Sequence, residues 1–124
     1  MLDVLATVLR SAWTLPNTLI GLVLGVFTFQ APRHLDGLVV FDERPRGLTS
    51  LMPRVGRSAM TVGLVILSSR PLEGRLLAHE LHHVRQYLAW GPFFLPVYFL
   101  LAIPYGYRQH PMERAADRAA AVAQ

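Results

Sequence analysis

The chain has no cysteine. Disulfides, iron–sulfur clusters and thiolate zinc sites are therefore excluded, and any metal must be held by His, Asp or Glu. Lysine is also absent, so all 12 basic residues are arginines. They are scattered singly, with no basic run interleaved with aromatics, so the net charge of +4 does not describe a nucleic-acid surface. A membrane surface is the anionic neighbour that suits it better. Charged residues of both signs make up 16% of the chain, against about 25% in ordinary soluble domains. That shortage excludes a disordered tail and a coiled coil. It leaves a very apolar globule, or a membrane-associated protein, of 124 residues, enough for one core and one site.

No charge occurs from Ser11 to Pro32, a run of 22 residues. About 20 apolar residues suffice to span a bilayer, so residues 13–31 read as an anchor helix, with Trp13 placed as an interfacial aromatic. Gly21 and Gly25 form a small-xxx-small pair that would let another helix approach closely and so support self-association. A buried core helix is the alternative. A cleaved signal peptide fits less well, because Asp3 lies in its n-region and no Ala-x-Ala site follows.

Residues 37–43 and 60–68 are short β-branched runs bounded by turn residues, and read as two strands. A polar loop, 44–57, lies between them. Two strands alone are marginally stable, so a sheet of two or three strands must pack on a helix. Residues 71–90 supply one: Pro71 suits its first turn, Leu77, Leu81, Val84 and Leu88 form an apolar stripe, and Gly91-Pro92 ends it. The apolar stretch from Phe93 to Tyr105 is broken by Pro96 and Pro104. A final helix opens at Pro111. The expected fold is α+β, one domain over 1–124.

The chemistry is carried by His79-Glu80-Leu81-His82-His83, a His-Glu-x-x-His pattern inside the expected helix. Residues four apart share a helix face, so His79 and His83 can reach one ion, while Glu80 can face a water and accept its proton. Chance alone gives about 0.006 such matches in a chain of this composition. Zinc needs a third protein ligand and an open position. Glu113, in the first turn of the last helix, is the best choice, and His110, just outside that helix, is its rival. Asp117, four residues on, can accept the outward N–H of a ligating imidazole. The plainer alternative is that Glu113 only caps its helix and Asp117 pairs with Arg114 or Arg118. Gln86, one turn after His83, can bind backbone near the site. His82 lies about 100° round the helix from His83, towards the surface or the periphery of the site, and isolated His34 reads as structural.

His79-Glu80-x-x-His83 followed by Glu113-x-x-x-Asp117 resembles the gluzincin zinc metallopeptidases. More closely, the chain is similar to a group of small uncharacterised bacterial membrane-type proteins. The shared elements here are Trp13-Thr14-Leu15-Pro16-Asn17-Thr18, Thr61-Val62-Gly63, His79 to Gln86, Trp90-Gly91-Pro92 with Leu95-Pro96-x-Tyr98, and Pro111-Met112-Glu113-Arg114-x-Ala116. The gluzincin resemblance implies one zinc ion per chain, two His ligands, a Glu ligand and Glu80 as general base in peptide hydrolysis. Tyr98, Tyr105 or Tyr107 is the expected oxyanion donor. The alternative is a non-catalytic, membrane-anchored zinc-binding or interaction protein, closed by His110 as a fourth ligand.

A shared ion also constrains topology. His79, His83 and Glu113 must lie on one side of any membrane, so residues 88–105 cannot cross it once. They are expected to bend, re-enter, or pack on Gly21 and Gly25. Residues 33–75 carry seven arginines against four acids, which places the site on the cytoplasmic side of the cell membrane. A soluble cytoplasmic protein is the alternative.

Overall fold

A computed structural model describes residues 2–122. It is α+β, as the sequence indicates, but its sheet has four strands. β1 (Arg33–Leu35) pairs antiparallel with β2 (Leu38–Phe41) across a two-residue loop. That loop is Asp36-Gly37, with φ of 48° and 82°. Positive φ at both positions is the hairpin geometry that Asp-Gly favours. The run 60–68 is two strands rather than one, β3 (Ala59–Val62) and β4 (Val65–Ser68), folded back at Gly63-Leu64. Gly63 takes φ 65°, and a Cβ there would fall 2.4 Å from the Thr18 nitrogen, so no other residue fits. β2 and β4 are parallel neighbours, giving the order β1-β2-β4-β3.

The connecting loop forms α2 (Leu48–Leu51) and a 3-10 turn, Met52–Val55. α3 (Gly74–Trp90) covers one sheet face. Leu72 and Val84 pack there on Leu38, Val40, Ala59 and Ile66. Pro71 is not its first residue. The Leu72 N–H donates to Asp42 Oδ2 at 2.8 Å, which holds the chain ahead of Glu73 extended and delays the helix. The opposite sheet face buries Phe41, Val65 and Leu67 with Met52 and Leu24. α4 (Phe94–Tyr105) follows a 3-10 turn, Gly91–Phe93, and α5 (Pro111–Val122) packs back along α3.

α1 (Leu2–Val26) starts well before residue 13 and ends before 31. Its polarity is inverted. The buried residues are Thr14, Asn17, Gly21 and Gly25, whereas Leu15, Leu19, Ile20, Val23 and Val26 are exposed. The small residues bring the α1 backbone close against the sheet. A Cβ at Gly21 would lie 2.6 Å from the Val62 carbonyl oxygen, and one at Gly25 would lie 2.4 Å from the Phe41 ring. The glycine pair is thus occupied by this chain's own sheet, neither facing outward for self-association nor receiving residues 88–105. Those residues meet α1 elsewhere: Asn17 Nδ2 donates to the Gly91 carbonyl at 2.8 Å, and Trp13 meets Phe93 edge-on.

By length and composition, one helical stretch among the described residues is apolar enough to cross a membrane, and it is Gly74–Tyr105, not 13–31. It is not a straight rod. Gly91 has φ 57° and ψ −131°, far from helical values, and breaks the stretch between α3 and α4. α4 alone, with 12 residues, is about 18 Å long, short of the roughly 30 Å hydrocarbon core.

Candidate metal centre

α3 places His79 and His83 one turn apart on the face that meets α5, and the first turn of α5 places Glu113 opposite them. The three form a tight triangle. Glu113 Oε1 lies 3.2 Å from His79 Nε2 and 2.9 Å from His83 Nε2, and the two imidazole nitrogens are 3.2 Å apart. A tetrahedral ion about 2.1 Å from each ligand sets ligand–ligand edges of about 3.4 Å. The three residues can therefore hold one metal ion.

The outward nitrogens fix the tautomers. His79 Nδ1 faces Asp117 Oδ1 at 3.0 Å, and His83 Nδ1 faces Gln86 Oε1 at 2.8 Å. The orientation of the Gln86 amide is determined because its Nε2 donates to the Met112 carbonyl at 3.0 Å. Both Nδ1 atoms must then carry the proton, which leaves both Nε2 atoms as acceptors. With both imidazoles neutral, two lone pairs and a carboxylate oxygen converge, an arrangement that a cation resolves.

Glu113 is nearly fully buried. Burial opposes its charged form, but the neighbouring imidazoles and the Tyr98 hydroxyl outweigh it, holding the carboxyl well below the usual range. Its second oxygen, Oε2, accepts the Tyr98 hydroxyl at 2.5 Å and lies 3.7 Å from Arg57 Nη2. Glu80 is buried beside the triangle, with Oε1 accepting the Thr61 hydroxyl at 2.8 Å and Oε2 3.8 Å from His79 Nε2. Burial pushes the Glu80 carboxyl up, against the opposing pull of His83, His79 and Thr61.

The structure separates the other expected residues. His110 is not at the centre. It is fully buried, its Nε2 lies 2.8 Å from the Tyr98 carbonyl oxygen, and its Nδ1 accepts the Met112 N–H at 3.1 Å. It therefore caps α5 at Pro111 and has no free nitrogen for a metal. Asp117 meets His79 rather than pairing only with its arginine neighbours. Gln86 touches both backbone and an imidazole. His82 lies outside the triangle, with a buried Nδ1 that has no hydrogen-bond partner among the described residues. His34 is exposed on β1.

A cavity of 280 Å³ opens onto the centre. Tyr98 and Tyr107 line it, whereas Tyr105 is exposed and does not. Arg57 and Thr61 also line the cavity, and the sequence reading assigned neither to the site. Arg57 donates to the Tyr98 hydroxyl at 2.7 Å and stacks 4.2 Å from the Tyr107 ring centre. Thr61 lies within the shared Thr61-Val62-Gly63 element, which was a local signal. Arg57 had none, being one of 12 scattered arginines. Set against family models, curated proteins and solved structures, the chain matches none of them.

Proposed function

We propose that this chain is a membrane-associated zinc metallopeptidase of the gluzincin type, a hydrolase with Glu80 as its general base. The observation that supports this best is the triangle of His79 Nε2, His83 Nε2 and Glu113 Oε1 with the buried Glu80 carboxylate beside it. A donor set of two imidazoles and one carboxylate, without thiolate, suits catalytic zinc. Zinc bound there supplies a Lewis acid that polarises a carbonyl and makes water more acidic.

The chain's own residues do the rest. Thr61 fixes Glu80 Oε1 and leaves Oε2 facing the cavity, where it accepts a proton from water. A carboxyl raised by burial returns that proton readily to the leaving amine. Asp117 and Gln86 hold the two imidazoles in one orientation. Tyr107 and Arg57, at the cavity wall, are placed to donate to a developing oxyanion.

The membrane part of this reading rests on α1, whose apolar side faces out while its polar and small residues face in. The arginine excess in residues 33–75 favours a centre on the cytoplasmic side. A closed, purely structural zinc site loses its fourth ligand, because both nitrogens of His110 are engaged.

The test is elemental analysis of the purified protein with Glu80→Gln and His79→Ala. One zinc per chain is expected in wild type and in Glu80→Gln, and none in His79→Ala. Glu80→Gln is expected to have no peptidase activity. Equal zinc in all three, or turnover by Glu80→Gln, overturns the reading.

A further inference from the structure

Two unlike limbs of one cleft meet at the metal centre. The limb beneath α4 is apolar, lined by Met60, Val62, Phe94, Leu95 and Phe99. The other, a groove of 400 Å³, is polar, with Ser58, Arg70, Arg75 and Asp117 along it. Both include Ala59, His79, Glu80 and Tyr107, so they join where Glu80 faces the triangle.

The apolar limb opens onto an apolar surface. Phe99 lines the limb and is 63% exposed; on the same helix Leu100 is 66% and Ile103 82% exposed. No residue of α4 is charged. The 3-10 turn that precedes α4 packs on α1, where Trp13 meets Phe93 at 6.4 Å between ring centres. In water this surface would be a severe liability. Against a bilayer it becomes a threshold that an apolar segment can pass without crossing water.

We propose that the substrate is a membrane-inserted polypeptide, cut at the boundary between its apolar segment and its polar flank. The apolar segment enters beneath α4 past Phe99, and the flank lies along the groove of Ser58, Arg70 and Asp117. The boundary is where such a bond is cleavable. Within hydrocarbon the backbone stays helical because its N–H and C=O groups find no other partner, whereas the polar groove lets one bond unwind. Water adds its hydroxyl to the acyl carbon, the C–N bond breaks, and the proton held by Glu80 goes to the new amine. This inference rests on the peptidase reading above.

The experiment uses the zinc-loaded protein in phosphatidylcholine/phosphatidylglycerol vesicles. The probes are one mixture of quenched fluorescent peptides in two forms, free in solution or joined to a Leu/Ala helix of about 20 residues inserted in the same vesicles. The inserted form is expected to be cleaved about tenfold faster or more. Phe99→Arg is expected to slow that cleavage about tenfold with zinc content unchanged, and Phe99→Ala, a gentler change at an exposed position, to slow it less. Equal rates on free and inserted peptides, or an inserted rate indifferent to both Phe99 variants, overturn the inference and leave the peptidase reading standing. No cleavage of either form overturns the peptidase reading, and this inference with it.

Discussion

The Tyr98 hydroxyl donates to Glu113 Oε2 at 2.5 Å, and this pins one carboxylate oxygen so that the other, Oε1, faces His79 and His83. Arg57 donates in turn to that hydroxyl at 2.7 Å, so its lone pair has a partner too. Residues from a loop, α4 and α5 thereby converge on one carboxylate. Tyr98→Phe removes the hydrogen bond while keeping the ring, which stacks on His110 and Phe94. Zinc affinity, measured by competition with a chelator, is expected to fall about 10- to 100-fold, as for other partners of metal ligands. Unchanged affinity would show that Glu113 is aimed without Tyr98.

Gln86 bridges His83 and the Met112 carbonyl, so its two halves can be tested separately. Gln86→Glu keeps an acceptor for His83 Nδ1 but cannot donate to Met112. Zinc is expected to stay bound while stability drops by about 1 kcal/mol, the net worth of one lost hydrogen bond, because the Met112 carbonyl keeps its partner within α5. Gln86→Leu removes both contacts and is expected to weaken zinc as well. Identical zinc affinities in the two variants would mean that the acceptor at Nδ1 is immaterial.

Gly25 lies against the Phe41 ring. Gly25→Leu is expected to destabilise the fold by about 1–3 kcal/mol through overpacking, read as a lower melting temperature in detergent at constant protein concentration. A variant with unchanged melting but altered oligomeric state would return Gly25 to a role between chains.

Asp42 is buried, accepts two bonds from Arg33 at 2.7 Å each, and receives the Leu72 N–H that sets the start of α3. The hydrogen bond from Arg33 lowers its pKa against the opposing effect of burial, with help from Leu72. A carboxyl lowered in the folded state contributes stability above its unfolded pKa, about 3.9, and loses it as pH falls through the folded value. The wild type is therefore expected to lose stability in acid, below about pH 4. Asp42→Asn is expected to be less stable at neutral pH and to show a flatter acid limb in urea melts. Parallel pH curves for the two would remove Asp42 from the account.

The sequence by itself determined the local features. Helical period placed His79 and His83 on one face, because a spacing of four is a property of the helix and not of what surrounds it. Asp36-Gly37 already carried a hairpin signal, but Arg33–Leu35 is three residues long and polar at its start, too short to read as a strand without its partner. The turn within 60–68 was concealed because Gly63 is the only break in an apolar run, and the residue that leaves no room for a side chain there is Thr18 of a distant helix.

Only the tertiary structure decided the rest. Which side of α1 faces the protein depends on where the sheet can accept backbone, and Gly21 and Gly25 allow the closest approach, so the apolar residues turn outward. His110 is equally suited, by residue type, to hold a metal or to cap a helix. The nearby Tyr98 carbonyl, brought in by the bend at Gly91, gives its second nitrogen a partner and assigns it to capping. Arg57 reaches Glu113 across 56 residues of chain. Such long-range proximity leaves no period or spacing to read, because it comes from how the layers pack and not from any local preference of the chain.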